Sequence, residues 1–130
     1  HKLSKHIHVD SAGTESLHVG ERADIRSRKH AEKRGYSLHS RSRQFLMDDF
    51  DEFDFIIAMD NSNYYTILSM MTDRKYEEKV HRFIDFCTIY EKKYSEVPDP
   101  YYEGEQGFEI VLDIVEDGCT NLVTFFQNKL

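Results

Sequence analysis

Only two cysteines, Cys87 and Cys119, occur in 130 residues, too few for a disulfide framework. With no secretory signal in view, the expected setting is a reducing cytoplasm. Long hydrophobic runs are missing too. The longest uncharged apolar stretch covers residues 55–59, which excludes a membrane-spanning helix. Proline is scarce: Pro98 and Pro100 are the whole complement, and they bracket a single aspartate. Neither an internal repeat nor a low-complexity linker is present. Acid exceeds base, giving a net charge of −7. Binding to bulk nucleic acid or to an anionic membrane surface is therefore disfavoured. The chain also lacks an initiating methionine, beginning at His1, so translation is expected to start elsewhere.

What is present is 39% hydrophobic, 32% charged and 13% aromatic, the make-up of one globular domain rather than of a disordered chain. The charge is uneven. Residues 21–43 hold eight basic against three acidic side chains, a local +5, which leaves −12 for the remainder. Acid gathers at 48–60 and again at 96–117, where eight carboxylates meet no Lys or Arg. The plain expectation for such a run is a solvated helix face.

Strands and helices alternate along the chain. Residues 6–9 are β-prone and end in a loop of small polar residues and Gly13. Residues 22–34 read as a polar helix stopped by Gly35. Residues 53–59, with Phe55, Ile56, Ile57 and Ala58 in succession, read as a strand buried on both faces. Asp60 is placed to cap a helix carrying Tyr64, Ile67, Leu68 and Met71. A weaker strand is expected over 80–84. Phe108, Val111, Leu112, Val115, Cys119, Leu122, Val123 and Phe126 recur at helical spacing and form the apolar stripe of a final helix. The alternation predicts an α/β fold, a parallel sheet with helices on both faces, although three visible strands make a thin sheet.

Two loops could carry chemistry. In Val97-Pro98-Asp99-Pro100-Tyr101-Tyr102 the prolines stiffen the backbone on either side of Asp99, and two aromatic rings follow. A carboxyl presented in this way suits a general acid. The same residues also read as a surface turn with two half-buried tyrosines. The second loop, Asp10-Ser11-Ala12-Gly13-Thr14, follows a strand, and ligand sites in open α/β sheets lie beyond the carboxyl ends of strands. It has one glycine and no G-x-x-x-x-G-K spacing, so alone it is no phosphate cradle. His6 and His8 share a strand face near His1, but no complementary acid or cysteine spacing accompanies them, and no metal or cofactor is expected. Neither cysteine opens an anion-binding turn: six residues beyond Cys87 stands Lys93, and beyond Cys119, Phe125. Cys119 falls on the apolar stripe, where a thiol serves as a small hydrophobe.

Taken in order, Val9-Asp10-Ser11-Ala12-Gly13-Thr14, His18-Val19-Gly20, Arg43-Gln44, Asp49-Phe50, Phe53-Asp54, Ala58-Met59-Asp60, Asn63, Val97 to Tyr102, Gly107-Phe108 and Glu116-Asp117 resemble the low-molecular-weight protein tyrosine phosphatases. The resemblance covers nearly the whole chain, and its most specific piece is Asp99-Pro100-Tyr101-Tyr102. It implies a phosphotyrosine phosphatase I-like, three-layer fold and a cysteine-dependent phosphomonoesterase acting on phosphotyrosine proteins. In such enzymes a thiolate opening a C-x5-R loop attacks phosphorus and forms a phosphocysteine, while loop N–H groups and the arginine hold the phosphate. By the same resemblance Asp99 is the catalytic acid, Tyr101, Tyr102 and Leu17 border the substrate, and Ser11 supports the phosphate loop from behind. Leu17 stands where many relatives carry an aromatic residue.

The chain contains no C-x5-R. In the family that motif belongs to the first strand–loop–helix unit, so residues 1–130 are expected to be a single phosphatase domain lacking its first βα unit, and inactive by themselves. The alternatives are a truncated, non-catalytic pseudophosphatase that binds a partner, or a phosphoarginine phosphatase or arsenate reductase of the same fold. The sequence leaves the oligomeric state open.

Overall fold

The computed structural model describes residues 7–14, 20, 24–38, 43–88, 94, 96–98 and 104–129. Helix α1 spans Ile25–Lys33. It is followed by a short helix α2 (Asp49–Glu52), strand β1 (Ile56–Ala58) and helix α3 (Asn61–Met70). A 3₁₀ turn (Arg74–Lys79) leads into β2 (Val80–Arg82), a second 3₁₀ turn (Phe83–Phe86) follows, and α4 (Gly104–Lys129) closes the chain.

Strands β1 and β2 pair in parallel, with Ile56 opposite Val80, Ile57 opposite His81 and Ala58 opposite Arg82. Parallel pairing needs a crossover, and α3 supplies it. The period-two alternation of β1 then sends neighbouring residues into different cores. Ile56 and Ala58 pack with Phe45, Phe50, Ile67, Tyr76 and Val80. Ile57 lies against the opposite cluster of Phe83, Ile84, Cys87, Val97 and Ile114, which α4 covers. Helices on both faces of a parallel sheet are thus present as the alternation requires.

Local signals account for the helix ends. The Asp24 carboxylate accepts from the Arg26 N–H at 2.9 Å, so α1 begins at Ile25 rather than near residue 22. Its other end is a Schellman closure: the Tyr36 N–H donates to the Ala31 carbonyl and the Gly35 N–H to that of Glu32, each at 3.0 Å. Gly35 has φ +87°, the left-handed value that this closure requires. Asp60 caps α3 as expected, accepting from the Asn63 N–H at 2.7 Å.

Other expectations need correction. Residues 7–9 form no strand, and His6 lies outside the described residues. β-prone residues become a strand only against a ladder partner, and pairing here starts later, as an isolated parallel bridge between Gly13 and Gln44. The strand expected over 80–84 stops at Arg82, where Phe83 enters a 3₁₀ turn that buries both Phe83 and Ile84. The centre of α4 against the core is Ile114, fully buried, with Gly118 buried one turn on. Cys119 is one residue off that line and is exposed, so it is not part of the packed stripe.

Candidate active site

Both loops singled out in the sequence are tied to the chain just beyond the carboxyl end of β1. The Asn63 side-chain amide donates to Thr14 Oγ1 at 3.2 Å, while the backbone of Asn63 is fixed by the Asp60 cap. The Val97 N–H donates to the Met59 carbonyl at 3.0 Å, pinning the segment that enters Pro98. Met59 and Asn63 flank the cap of α3, so one short stretch of chain anchors two segments that are far apart in sequence. Ligand sites in open α/β sheets lie at this end of the strands.

The 10–14 loop is held from its other side by residues 43–49. The Gly13 N–H donates to the Arg43 carbonyl at 2.8 Å, and the Phe45 N–H donates to the Gly13 carbonyl at 2.7 Å. The Arg43 guanidinium donates through Nε to Asp10 Oδ2 at 2.9 Å, and through Nη1 and Nη2 to the two Asp49 oxygens at 3.0 and 3.2 Å. Asp49 is buried and also accepts from the Leu46 N–H at 2.8 Å. Burial of such a carboxylate is tolerated because Arg43 and the Leu46 N–H donate three hydrogen bonds to it. Asp10 Oδ1 accepts from the Ser11 N–H at 2.8 Å. This bond first, and Arg43 beside it, hold the Asp10 carboxyl below its usual range.

Ser11 itself is exposed, next to Asp10. Leu17, Asp99, Tyr101 and Tyr102 lie outside the described residues. Cys87 is buried, its thiol facing the carbonyls of Phe83 and Ile114 at 4.0 and 3.6 Å, a core position and not a nucleophile's. The His8 ring stacks on Phe53 at 6.1 Å, and among the described residues no three metal-ligating side chains come together.

The Arg43–Asp49 pair has no role in the sequence reading, although both residues stand in the motifs quoted there. A buried Asp49 is indistinguishable by sequence from its neighbours Asp48 and Asp51, and only the cation six residues earlier hints at a partner. The acidic run in α4 is likewise more than a solvated face. Glu109, Asp113 and Glu116 lie on one side of the helix, and all three meet Arg34, at 3.0, 2.9 and 2.8 Å. His30 Nδ1 lies 2.6 Å from Glu109 Oε2, and the His30 ring stacks on Phe108 at 5.2 Å. Among the described residues no helix is long and apolar enough to cross a membrane.

Comparison with known proteins agrees with this geometry. Residues 1–130 match the profile of the low molecular weight phosphotyrosine protein phosphatases. A Synechocystis protein provisionally named as a low molecular weight protein-tyrosine-phosphatase is 45% identical over 128 residues, covering 98% of this chain and 80% of that one. The crystal structure of a protein tyrosine phosphatase from Entamoeba histolytica, with Hepes in its active site, superposes with a TM-score of 0.91 at 47% identity, covering 99% of this chain and 81% of its own. A Drosophila arginine phosphatase superposes with a TM-score of 0.77 at 27% identity, covering 92% of this chain and 76% of its own.

Proposed function

Because the chain belongs to the low molecular weight phosphotyrosine protein phosphatase family over its full 130 residues, we propose that it acts on phosphotyrosine proteins and contributes the acid and pocket side of the reaction, not the nucleophile. No cysteine in the 130 residues is followed six positions later by arginine, so the thiolate is assigned to a segment outside them. In the first step that thiolate attacks phosphorus, the bond from phosphorus to the tyrosine oxygen breaks, and Asp99 gives its proton to the departing oxygen. In the second, the Asp99 carboxylate takes a proton from water as the oxygen attacks the phosphocysteine, releasing phosphate and restoring the thiolate. Tyr101 and Tyr102 wall the pocket, with Leu17 on its border, and Ser11 supports the phosphate loop.

The observation that carries this reading is the anchoring of two loops at one end of β1, through Asn63 to Thr14 and through Met59 to Val97. It supports a shared site for the residues that follow Val97 and those of the 10–14 loop. A cysteine thiolate survives best in a reducing compartment, which supports a cytoplasmic location.

The test is hydrolysis of p-nitrophenyl phosphate by the protein made from its complete reading frame. Turnover that thiol alkylation abolishes supports the enzyme, and no turnover at any pH leaves a binding module. Competing phosphotyrosine and phosphoarginine peptides then separate the substrate classes. The paired tyrosines favour an aryl phosphate, and faster release from phosphoarginine would overturn that choice.

A further inference from the structure

We propose that Arg43 is a positioning residue for this phosphatase site, setting the 10–14 loop at a fixed distance from the buried Asp49. The proposal rests on the reading that Ser11 of this loop supports the phosphate loop. The guanidinium touches both sides, with Nε on Asp10 at 2.9 Å, and Nη1 and Nη2 on Asp49 at 3.0 and 3.2 Å. Nη1 also donates to the Gln44 carbonyl at 3.2 Å, which orients the fork relative to the backbone that pairs with Gly13. The planar fork meets both Asp49 oxygens with two nitrogens and keeps Nε for Asp10 in a fixed geometry; a lysine ammonium on a flexible stem supplies charge without that registration.

The consequence reaches Ser11. Asp10 uses one oxygen for Arg43 and the other for the Ser11 N–H at 2.8 Å. A guanidinium that fixes Asp10 therefore also fixes the backbone at Ser11, while Asn63 holds the far end of the loop at Thr14. Releasing Arg43 from Asp10 frees one end of the loop and leaves the other tied.

The discriminating variant is Asp10→Asn in the full-reading-frame enzyme. It removes the loop's carboxylate but keeps the Arg43–Asp49 pair, so the fold is retained. Arg43→Lys is the second variant. Three quantities are measured: kcat and KM on p-nitrophenyl phosphate, the inhibition constant of inorganic phosphate, and amide hydrogen exchange at Gly13 and Phe45. For Asp10→Asn the expected result is a roughly 10-fold loss of kcat and a weaker phosphate inhibition constant, with the melting temperature held within about 2 °C. Exchange at Gly13 and Phe45 rises about 10-fold, while exchange at Ile56–Ala58 is unchanged. Arg43→Lys gives the same pattern with an added loss of stability. Wild-type kcat, phosphate inhibition and Gly13 exchange in both variants would overturn the proposal, as would a loss of activity matched entirely by unfolded protein. If the wild-type protein shows no turnover, the phosphatase reading fails by itself, and the exchange data decide whether Arg43 sets the loop.

Discussion

The outer end of the Phe83 ring meets Gly118 of α4 so closely that a Cβ built on residue 118 would collide with Phe83 Cζ and Cε1. Phe83 is itself 4% exposed and packs in the cluster of Ile84, Cys87, Val97 and Ile114, so moving its ring disturbs a filled core. Glycine in mid-helix costs about 1 kcal/mol relative to alanine, a cost accepted here for close approach. Gly118→Ala therefore overpacks this contact by about 1–3 kcal/mol, more than the propensity it recovers. A net loss of up to about 2 kcal/mol in urea unfolding is expected. Equal or higher stability would show that the ring yields.

The second prediction concerns Arg34, whose guanidinium joins α1 to three carboxylates of α4. These carboxylates are 43–44% exposed, so each pair alone is weak, but the shared fork makes a network. Arg34→Ala is expected to cost about 1 kcal/mol near neutral pH, and less at high salt. Arg34 first, then His30, lowers the Glu109 carboxyl below its ordinary 4.5. A carboxyl depressed in the folded state stabilises above its unfolded value and loses that contribution as pH falls through the folded one. The stability gap between wild type and Arg34→Ala should therefore be flat above pH 4.5 and close below it. Chemical denaturation at a series of pH values reads this directly, and a gap that persists at low pH would assign the Arg34 contribution to packing.

Much of this architecture is legible in the sequence because its signals are local. Asp60 as a cap and Gly35 as a stop act within a turn, and each holds in the structure, while the strand read over 53–59 is present over Ile56–Ala58. What escapes is pairwise and distant. Arg34 finds Glu116 from 82 residues away, so nothing in its neighbourhood marks the partner, and Asp49 has only the cation six residues earlier as a hint. Cys119 escapes for another reason. Helical spacing defines a broad apolar arc, and the line of that arc that faces inward is the one through buried Ile114 and Gly118, which meets Phe83.

The cysteines give a third prediction. Cys87 is buried and Cys119 exposed, and partial burial of the Cys119 sulfur raises its thiol above the ordinary range. A raised thiol is a poor nucleophile. Iodoacetamide on the folded protein should label Cys119 slowly and Cys87 only after unfolding, as read by peptide mass spectrometry. Cys119→Ser in the full-reading-frame enzyme should keep both its activity and its inactivation by alkylation. Inactivation that disappears with Cys119 would move the essential thiol to α4 and undo the proposed chemistry.

Asp99 carries the last prediction. In its proposed role of general acid, Asp99 matters in proportion to how badly the leaving oxygen needs a proton, so its removal should discriminate between substrates. Asp99→Asn keeps the shape of the side chain and removes the acidic proton. With phosphotyrosine peptide kcat should fall by about 10²–10⁴ while KM changes little, because the proton is transferred only in the transition state. With p-nitrophenyl phosphate, whose leaving group is stable as an anion, the loss should be much smaller. The basic limb of the kcat–pH profile, where the acid loses its proton, should flatten in the variant. Equal losses on both substrates would reduce Asp99 to a binding or structural part, and an unchanged rate would take it out of the mechanism.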